Sequence, residues 1–500
     1  MMCQGNYVSV VSARTVVAAT TALGYSLSQS SSVLARRRMI GCQTKCQITS
    51  ILIGILLMVF GCLLQVYWET LLRGELKRKF ILSPTSKTYD SWEKTKVPVY
   101  CKFYFFNWTN PSDISHPDYK PVFDEVGPYV FLQTLEKVDI AFHDNGTVSY
   151  KLKRYWYFDR ERSVGPLSDR ITSANPVAAA VKFSQIFFSD MREIPYDRFG
   201  WWYPRNGSVS EVYNMQTGEN GMNTFGELTA WNYKSNAGFY NGSCGEVFGS
   251  GGNFWPWDIR KSDTIFIFSG DICRSISMSF TEELSYQGLR AYKYESGPEF
   301  VDNGTLVSSN ECLCNGECTP VGVFNASSCS KDAPVFISYP HFQYADPYFS
   351  DAVVGMKPEK DKHNIYLILD PKYGVPLEFS ARIQINLLVE TNKKNSDWRD
   401  TSKKRVFFPV LWVDQNFEIK RDDLETMKMI MYLPAIGFIV SVMAIITGTF
   451  IILGCLVCRL FHKNKKVPLC DNSTRRTADS KIAEPDKSHI KFSYIKDSNF

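Results

Sequence analysis

Two uncharged apolar runs bracket the sequence, and the stretch between them has a different hydrophobic period. Residues 46–68 carry no charged side chain and are rich in Ile, Leu, Val, Phe and Met; Met429 to Cys458 is a second such run. A bilayer core of about 30 Å needs roughly 20 apolar residues at helical rise. A soluble helix of this length would show a polar face. Each run therefore predicts a transmembrane helix, the second long enough to span with tilt.

Between the runs, period two replaces uniform apolarity. From Leu377 to Val389, Leu377, Phe379, Ala381, Ile383, Ile385, Leu387 and Val389 alternate with Glu378, Ser380, Arg382, Gln384, Asn386 and Leu388. That alternation predicts a strand with one buried and one mostly wet face. Shorter runs at Tyr100–Phe106, Val148–Phe158, Thr264–Phe268, Ile365–Leu369 and Val406–Trp412 are β-branched and aromatic, with Gly, Pro, Asn and Asp between them. Many strands without regularly alternating helices argue for an antiparallel barrel or sandwich with insertions. One helix stands out: Asn175 as N-cap, Pro176 at the first helical position, then Val177 to Phe188 without Gly or Pro. Its Phe183, Ile186, Phe187 and Phe188 suit core packing or a ligand-facing surface.

The chain is thus divided into a tail (1–46), a first span (47–68), a large central portion (69–428), a second span (429–458) and a C-terminal tail (459–500). Basic residues flank the first span on both sides, so charge alone does not orient it. Asn-X-Ser/Thr triplets orient it better: Asn107, Asn145, Asn206, Asn241, Asn303 and Asn325 all lie centrally, mostly beside Gly. As glycan acceptors they put the centre in the lumen or outside the cell and both termini in the cytoplasm. Dividing the charge agrees. The first 47 residues hold five basic and no acidic side chains, and the tail from Arg459 holds ten and five. Of the net +5, the tails contribute +10 and the remainder −5. Basic tails suit an anionic inner leaflet, and the centre has no nucleic-acid signature. Residues 1–41, rich in Ser, Thr, Ala and Val with no acid, also look like an organelle transit peptide, but the six central triplets argue against import.

Seven of fourteen cysteines are central: Cys101, Cys244, Cys273, Cys312, Cys314, Cys318 and Cys329. The clustering of the last six points to a disulfide framework in an oxidising compartment, with zinc as the alternative. Cys101 is the odd one, buried and free or intermolecular. Cys42, Cys46, Cys455, Cys458 and Cys470 sit near the membrane, where palmitoylation is an option beside a simple apolar role. The sequence holds no Gly-X-Ser-X-Gly elbow, Walker loop or His-Glu-X-X-His. Gly249-Ser250-Gly251-Gly252 lacks the lysine of a phosphate cradle and reads as an ordinary loop. His116, His143, His341 and His363 are isolated from one another along the chain. No reaction, cofactor or metal is proposed by these residues. In the second span, Gly437, Ser441, Ala444 and Gly448 form a stripe of small residues that could pair with the first span or with another copy of the chain, giving a homo-oligomer.

The segment Phe268-Ser-Gly-Asp-Ile-Cys273-Arg-Ser-Ile-Ser-Met-Ser-Phe280 resembles the signature of the class B scavenger receptors. So do Val126-Gly-Pro-Tyr-Val-Phe131, Ser173-Ala-Asn-Pro-Val-Ala-Ala-Ala180, Pro334-Val-Phe-Ile-Ser-Tyr-Pro-His-Phe342, Leu377–Val389 and Phe408-Pro-Val-Leu-Trp412, in order. The resemblance covers most of residues 48–458, and the Cys-X-Cys-X3-Cys spacing looks like the invertebrate branch. It implies an α+β ectodomain: an antiparallel β-barrel-like core with helical insertions, an apical helical bundle for docking and an internal lipid tunnel. It also implies the pairs Cys244–Cys312, Cys273–Cys329 and Cys314–Cys318. The function it implies is a cell-surface receptor, not an enzyme, that binds lipids, fatty acids or lipoprotein particles and transfers lipid towards the membrane. Uptake of apoptotic cells or microbes would be a variant of the same binding. A two-span ligand-gated channel and a tethered ectoenzyme are the rivals. The plasma membrane is favoured over the lysosome because the tail lacks an acidic dileucine. One departure stands out: Asp190 to Trp202 follows Phe188 where the family has several tens of residues, including its basic apical side chains, so no ligand contact is carried over.

Overall fold

The computed structural model describes residues 21–95, 97–116, 119–176, 200, 205–314, 318–330, 333–391 and 404–464. The apolar helix expected from Val177 to Phe188 and the shortened stretch after it lie outside those residues.

Two compact units are present, one of residues 66–438 and one holding the remaining parts of the two long helices. The larger unit is built on thirteen strands: β1 Val99–Trp108, β2 Phe123–His143, β3 Thr147–Asp159, β4 Val209–Gln216, β5 Leu228–Trp231, β6 Ile265–Ser269, β7 Arg274–Tyr286, β8 Leu289–Glu295, β9 Val323–Asn325, β10 Val335–Ser338, β11 Tyr366–Asp370, β12 Val375–Thr391 and β13 Lys404–Glu418. Their order is β5-β4-β3-β2-β1-β13-β12-β11-β8-β7-β6, with β10 on β12 and β9 on β10, and every strand pair is antiparallel.

The two ends of that sheet are joined by the glycine-rich segment read above as an ordinary loop. Leu228 N–H donates to Gly249 O at 2.8 Å. Ser250 N–H donates to Phe266 O at 2.9 Å, and Phe268 N–H donates back to Ser250 O at 2.9 Å. One residue thus bridges both edges, which removes most of the open sheet margin. Glycine is required there: Gly249 has φ +84°, and a Cβ would lie 2.5–2.7 Å from Phe266.

The barrel interior is a single apolar cluster drawn from strands on all sides, including Phe103, Val148, Tyr150, Tyr213, Trp231, Ile276, Tyr294, Leu367 and Leu411. A second cluster lies on the outer face of β1 and β13, where Phe106, Phe123, Phe336, Phe349, Phe407, Phe408 and Trp412 pack together. This outer cluster corrects one sequence expectation. The polar face of β12 is not wet: Ser380, Gln384 and Asn386 are buried. β10 and its following turn cover Gln384 and Asn386. The three side chains are satisfied by Asp414, by each other, by Phe336 O and by Ser338.

The long helices are Thr21–Phe80 and Arg421–Asn464. By length and composition Lys45–Phe80 and Arg421–Phe461 can cross a membrane, and both extend past the apolar runs. In the smaller unit they pack through small residues. Cβ atoms on Gly54 and Gly61 would lie 2.9 Å from Gly448 O and 2.8 Å from Ser441 O. Ser441 donates its hydroxyl to Gln65 Oε1.

Candidate functional site

Strand register defines the inner wall. Cys101 stands opposite Phe131 and Gln415, Phe131 opposite Phe158, Gln133 opposite Trp156, and Ile383 opposite Val413. Alternate residues of β3 (Val148, Tyr150, Leu152, Trp156 and Phe158) join the inner cluster, so Arg154 shares their face. Near β1 the wall is aromatic: Phe103 meets Phe131 edge-on at 5.6 Å, and Phe131 lies 5.3 Å from Phe158. Yet Phe105, Phe131, Trp156, Phe158, Ile383, Ile385 and Val413 are only half-buried. Apolar side chains that face the inside of a barrel and are still reached by solvent are not fully packed by protein.

Polar groups interrupt this wall at two places. Gln133 Oε1 accepts from Gln415 Nε2 at 2.8 Å and from the Cys101 thiol at 3.8 Å. Cys101 is 1% exposed and free; burial raises its thiol pKa, so it is an inert core side chain. The second place is charged. Arg154 Nη1 donates to both carboxylate oxygens of Asp271, at 2.9 and 3.0 Å, and Arg205 Nη1 adds a third bond at 3.3 Å. Burial alone would push the Asp271 carboxyl up, but the two guanidiniums hold it below the usual carboxylate range.

Asp271 belongs to the Gly270–Arg274 motif that carried the family resemblance, and the fold gives three of its residues separate tasks. Asp271 takes the arginines. Cys273 bonds to Cys329, whose Sγ lies 3.7 Å from Asp271 O and so fastens the turn from outside. Arg274 is buried, donates to Phe300 O at 3.1 Å and lies over the rings of Phe300 and Phe324.

The cysteines are paired Cys244–Cys312, Cys273–Cys329 and Cys314–Cys318. Of the Asn-X-Ser/Thr triplets, Asn145, Asn206 and Asn241 are exposed, and Asn107, Asn303 and Asn325 are half-buried. In two of them the Thr hydroxyl donates to the Asn Oδ1, from Thr147 to Asn145 at 2.7 Å and from Thr305 to Asn303 at 2.6 Å. A seventh triplet, Asn472-Ser-Thr474, lies in the C-terminal tail, so the motif alone does not mark the central portion.

The histidines need a correction. His341 and His363 are not isolated: their rings stack at 4.7 Å in the outer cluster. His341 Nε2 shares a 2.7 Å hydrogen bond with Glu125 Oε2, which also accepts from Trp412 Nε1 at 2.7 Å. Trp412 in turn stacks on Tyr104 at 3.9 Å. Their separation of 22 positions gave no periodic signal; the meeting depends on His341 taking φ +54° in a turn. Among the described residues no group of three or more His, Cys, Asp or Glu side chains converges as a metal site.

Comparison with known proteins gives the same identification as the motifs. The model of the CD36 family matches residues 52–191 and 178–459, two pieces that overlap at 178–191. Protein peste of Drosophila melanogaster is 30% identical, with 83% of this chain and 82% of that protein covered. Lysosome membrane protein 2 of Homo sapiens is 31% identical over 77% of this chain and 88% of its own length. Scavenger receptor class B member 1 of Rattus norvegicus is 28% identical, with 73% and 79% covered.

Proposed function

The chain belongs to the CD36 family, and from that premise we propose that it is a class B scavenger-type receptor, binding lipids or lipid-bearing particles and passing lipid through the barrel towards the membrane. The observation that carries this reading is the half-buried apolar inner wall formed by Phe131, Trp156, Phe158, Ile383 and Val413. An acyl chain gains about 0.8 kcal/mol for each CH2 taken out of water, so such a wall holds lipid without covalent chemistry. No reaction is proposed for it. The channel reading has less support, since the described spans bring only neutral polar side chains such as Gln65 and Ser441 together.

Residues 69–428 are the extracellular, glycosylated portion in this reading, with both tails cytoplasmic and the plasma membrane as the site of action. Endoglycosidase treatment tests the side: a mobility shift that shrinks when Asn145, Asn206 and Asn241 become Gln, and is lost when Asn107, Asn303 and Asn325 do as well, supports it. Surface biotinylation tests the compartment, with a lysosome-restricted chain as the contrary result. A homo-oligomer through the second span is not proposed, because Ser441 and Gly448 already face the first span.

The function is tested by uptake of fluorescent phospholipid and cholesteryl-ester particles into cells displaying the chain. Uptake above vector cells, blocked by antibody to residues 69–428, is expected. No uptake by a glycosylated surface protein overturns the reading.

A further inference from the structure

On the outer face of β3 two tyrosines stand where the sheet is incomplete. The glycine strap at Ser250 joins the two sheet edges, but further along β4 has ended, its last pair with β3 being Val209 with Lys153. Beyond that point, among the described residues, β3 is met by a turn. Arg154 N–H donates to Ser208 O at 3.2 Å, Gly207 N–H donates to Arg154 O at 2.7 Å, and Ser208 N–H closes the turn onto Arg205 O at 3.1 Å. This turn is Asn206-Gly-Ser208, one of the six central Asn-X-Ser/Thr triplets.

The acceptor side chain is held in place from outside its own triplet. Trp156 N–H donates to Asn206 Oδ1 at 3.1 Å, so the amide takes the next position of the interrupted ladder. In Asn145, by contrast, Oδ1 accepts from Thr147 of the same triplet. Alternation puts Tyr155 and Tyr157 on the outer face of β3, since Leu152, Trp156 and Phe158 belong to the inner cluster. These two tyrosines bracket the Trp156 N–H that fixes Asn206. Gly207 packs on the first of them: a Cβ there would lie 3.7 Å from Tyr155 Cε1. The second, Tyr157, is 55% exposed, and Val209, paired on the same side, is 48% exposed. A half-bare tyrosine ring beside an immobilised acceptor offers a flat apolar surface at the place where a first sugar begins.

We propose that Tyr155 and Tyr157 form a docking platform for the glycan on Asn206, whose first N-acetylglucosamine lies flat on the Tyr157 ring. The pyranose face that carries axial C–H bonds is apolar and stacks on the negative face of an aromatic ring. Such a contact is weak between separate molecules. Here the sugar is tethered to a fixed amide, so its effective concentration at the ring is high and the contact forms. The docked sugar covers the margin of β3 where no described strand follows, and a covered margin does not template pairing with another chain. The proposal rests on the reading of Asn206 as a glycan acceptor in an extracellular portion, and not on lipid binding.

The test is a double-mutant cycle on the full glycosylated chain in detergent, read as melting temperature. Ser208→Ala abolishes the triplet while leaving Asn206, and Tyr157→Thr removes the ring from an exposed strand position. The Ser208 hydroxyl also donates to Arg205 O at 2.7 Å, and loss of that bond cancels from the cycle. Tyr157→Thr is expected to lower the melting temperature by about 2 °C when Asn206 carries its glycan, and to leave it nearly unchanged in the Ser208→Ala background. Tyr157→Phe keeps the ring and should behave as the parent. An endoglycosidase that leaves one N-acetylglucosamine should preserve the difference, because that sugar is the one that stacks. Equal shifts in both backgrounds, with Asn206 shown by glycopeptide mass spectrometry to be occupied, overturn the platform and leave the glycan-acceptor reading intact. An unoccupied Asn206 in the parent overturns both. A dimer that Tyr157→Thr dissociates in both backgrounds also overturns the platform and gives this face to a second copy.

Discussion

His341 and His363 each use Nδ1 to accept a backbone N–H from one short segment: Lys357 N–H to His341 at 3.1 Å and Glu359 N–H to His363 at 3.0 Å. A ring nitrogen that accepts must be unprotonated, so the anchoring holds only while both rings are neutral at that position. Protonation turns each acceptor into a donor facing another donor.

Acid should therefore loosen this segment. Burial, with the neighbouring His341, depresses the His363 pKa to about 4, against 6.5 when unfolded. The unfolded chain takes up the proton first, so the stability due to neutral His363 is whole above pH 6.5 and is lost as pH falls towards 4. The loss amounts to about 3 kcal/mol at most. Burial raises the Asp370 carboxyl to about 6, which contributes with the opposite sign over much of that window. The effect is thus read as a difference. His363→Asn, whose Oδ1 can stand in for Nδ1, should melt at nearly the same temperature as the unaltered chain at pH 7 and higher at pH 4.5. Equal melting at pH 4.5 would count against it.

A buried amine gives a second prediction, at the alkaline end. Lys137 is 2% exposed; its Nζ donates to Thr95 Oγ1 at 3.0 Å and lies 5.6 Å over the Trp92 ring, and among the described residues no carboxylate forms an ion pair with it. Burial lowers its pKa from 10.5 to about 7. Between those values the unfolded state holds the proton more tightly, so stability should rise with pH from 7 to 9. Lys137→Met keeps the volume and removes the charge, and should stabilise the chain at pH 7 by roughly 1–3 kcal/mol, as replacing a buried charge by an apolar group can. Melting temperature against pH is the measurement, and the variant's curve should be flat where the parent's climbs.

How far such groups could be foreseen varies with the element. β12 was legible because its alternation runs unbroken, and Val375–Thr391 overlies Leu377–Val389. β2 was not, although it is the longest strand: Gly127-Pro128 and a bulge between Val138 and Ala141 break its period, and both faces carry apolar residues. β7 carries the same signal inside its motif, where Ile276, Met278 and Phe280 alternate with Ser275, Ser277 and Ser279. Arg154 had no local signal, since its partner is 117 positions away and the sheet alone joins them. The His341–His363 stack is hidden for the same reason.

The strap shows how much a loop can carry. Gly249→Ala would force a side chain into the left-handed region and onto the Phe266 backbone. About 2 kcal/mol of stability should be lost. Because Ser250 joins both sheet edges, the loss should appear as accelerated hydrogen exchange in β5 and β6, while β1 and β13 stay protected. Uniform loss across all strands would mean that the strap is not a local closure.

The small-residue stripe permits a last test, which separates two uses of the same face. Ser441 donates to Gln65, and a Cβ on Gly448 would lie 2.5 Å from Gly54 O. In hydrocarbon there is no hydrophobic drive between helices, so backbone approach of this kind is what packing has to offer. Cysteines placed at Gln65 and Ser441 should then cross-link within one chain, and Gly448→Leu should reduce the yield several-fold by forcing the helices apart. The reading fails if the product is mainly a covalent dimer. In that case the stripe serves a second copy, and the pairing of the two spans within one chain is not what holds them.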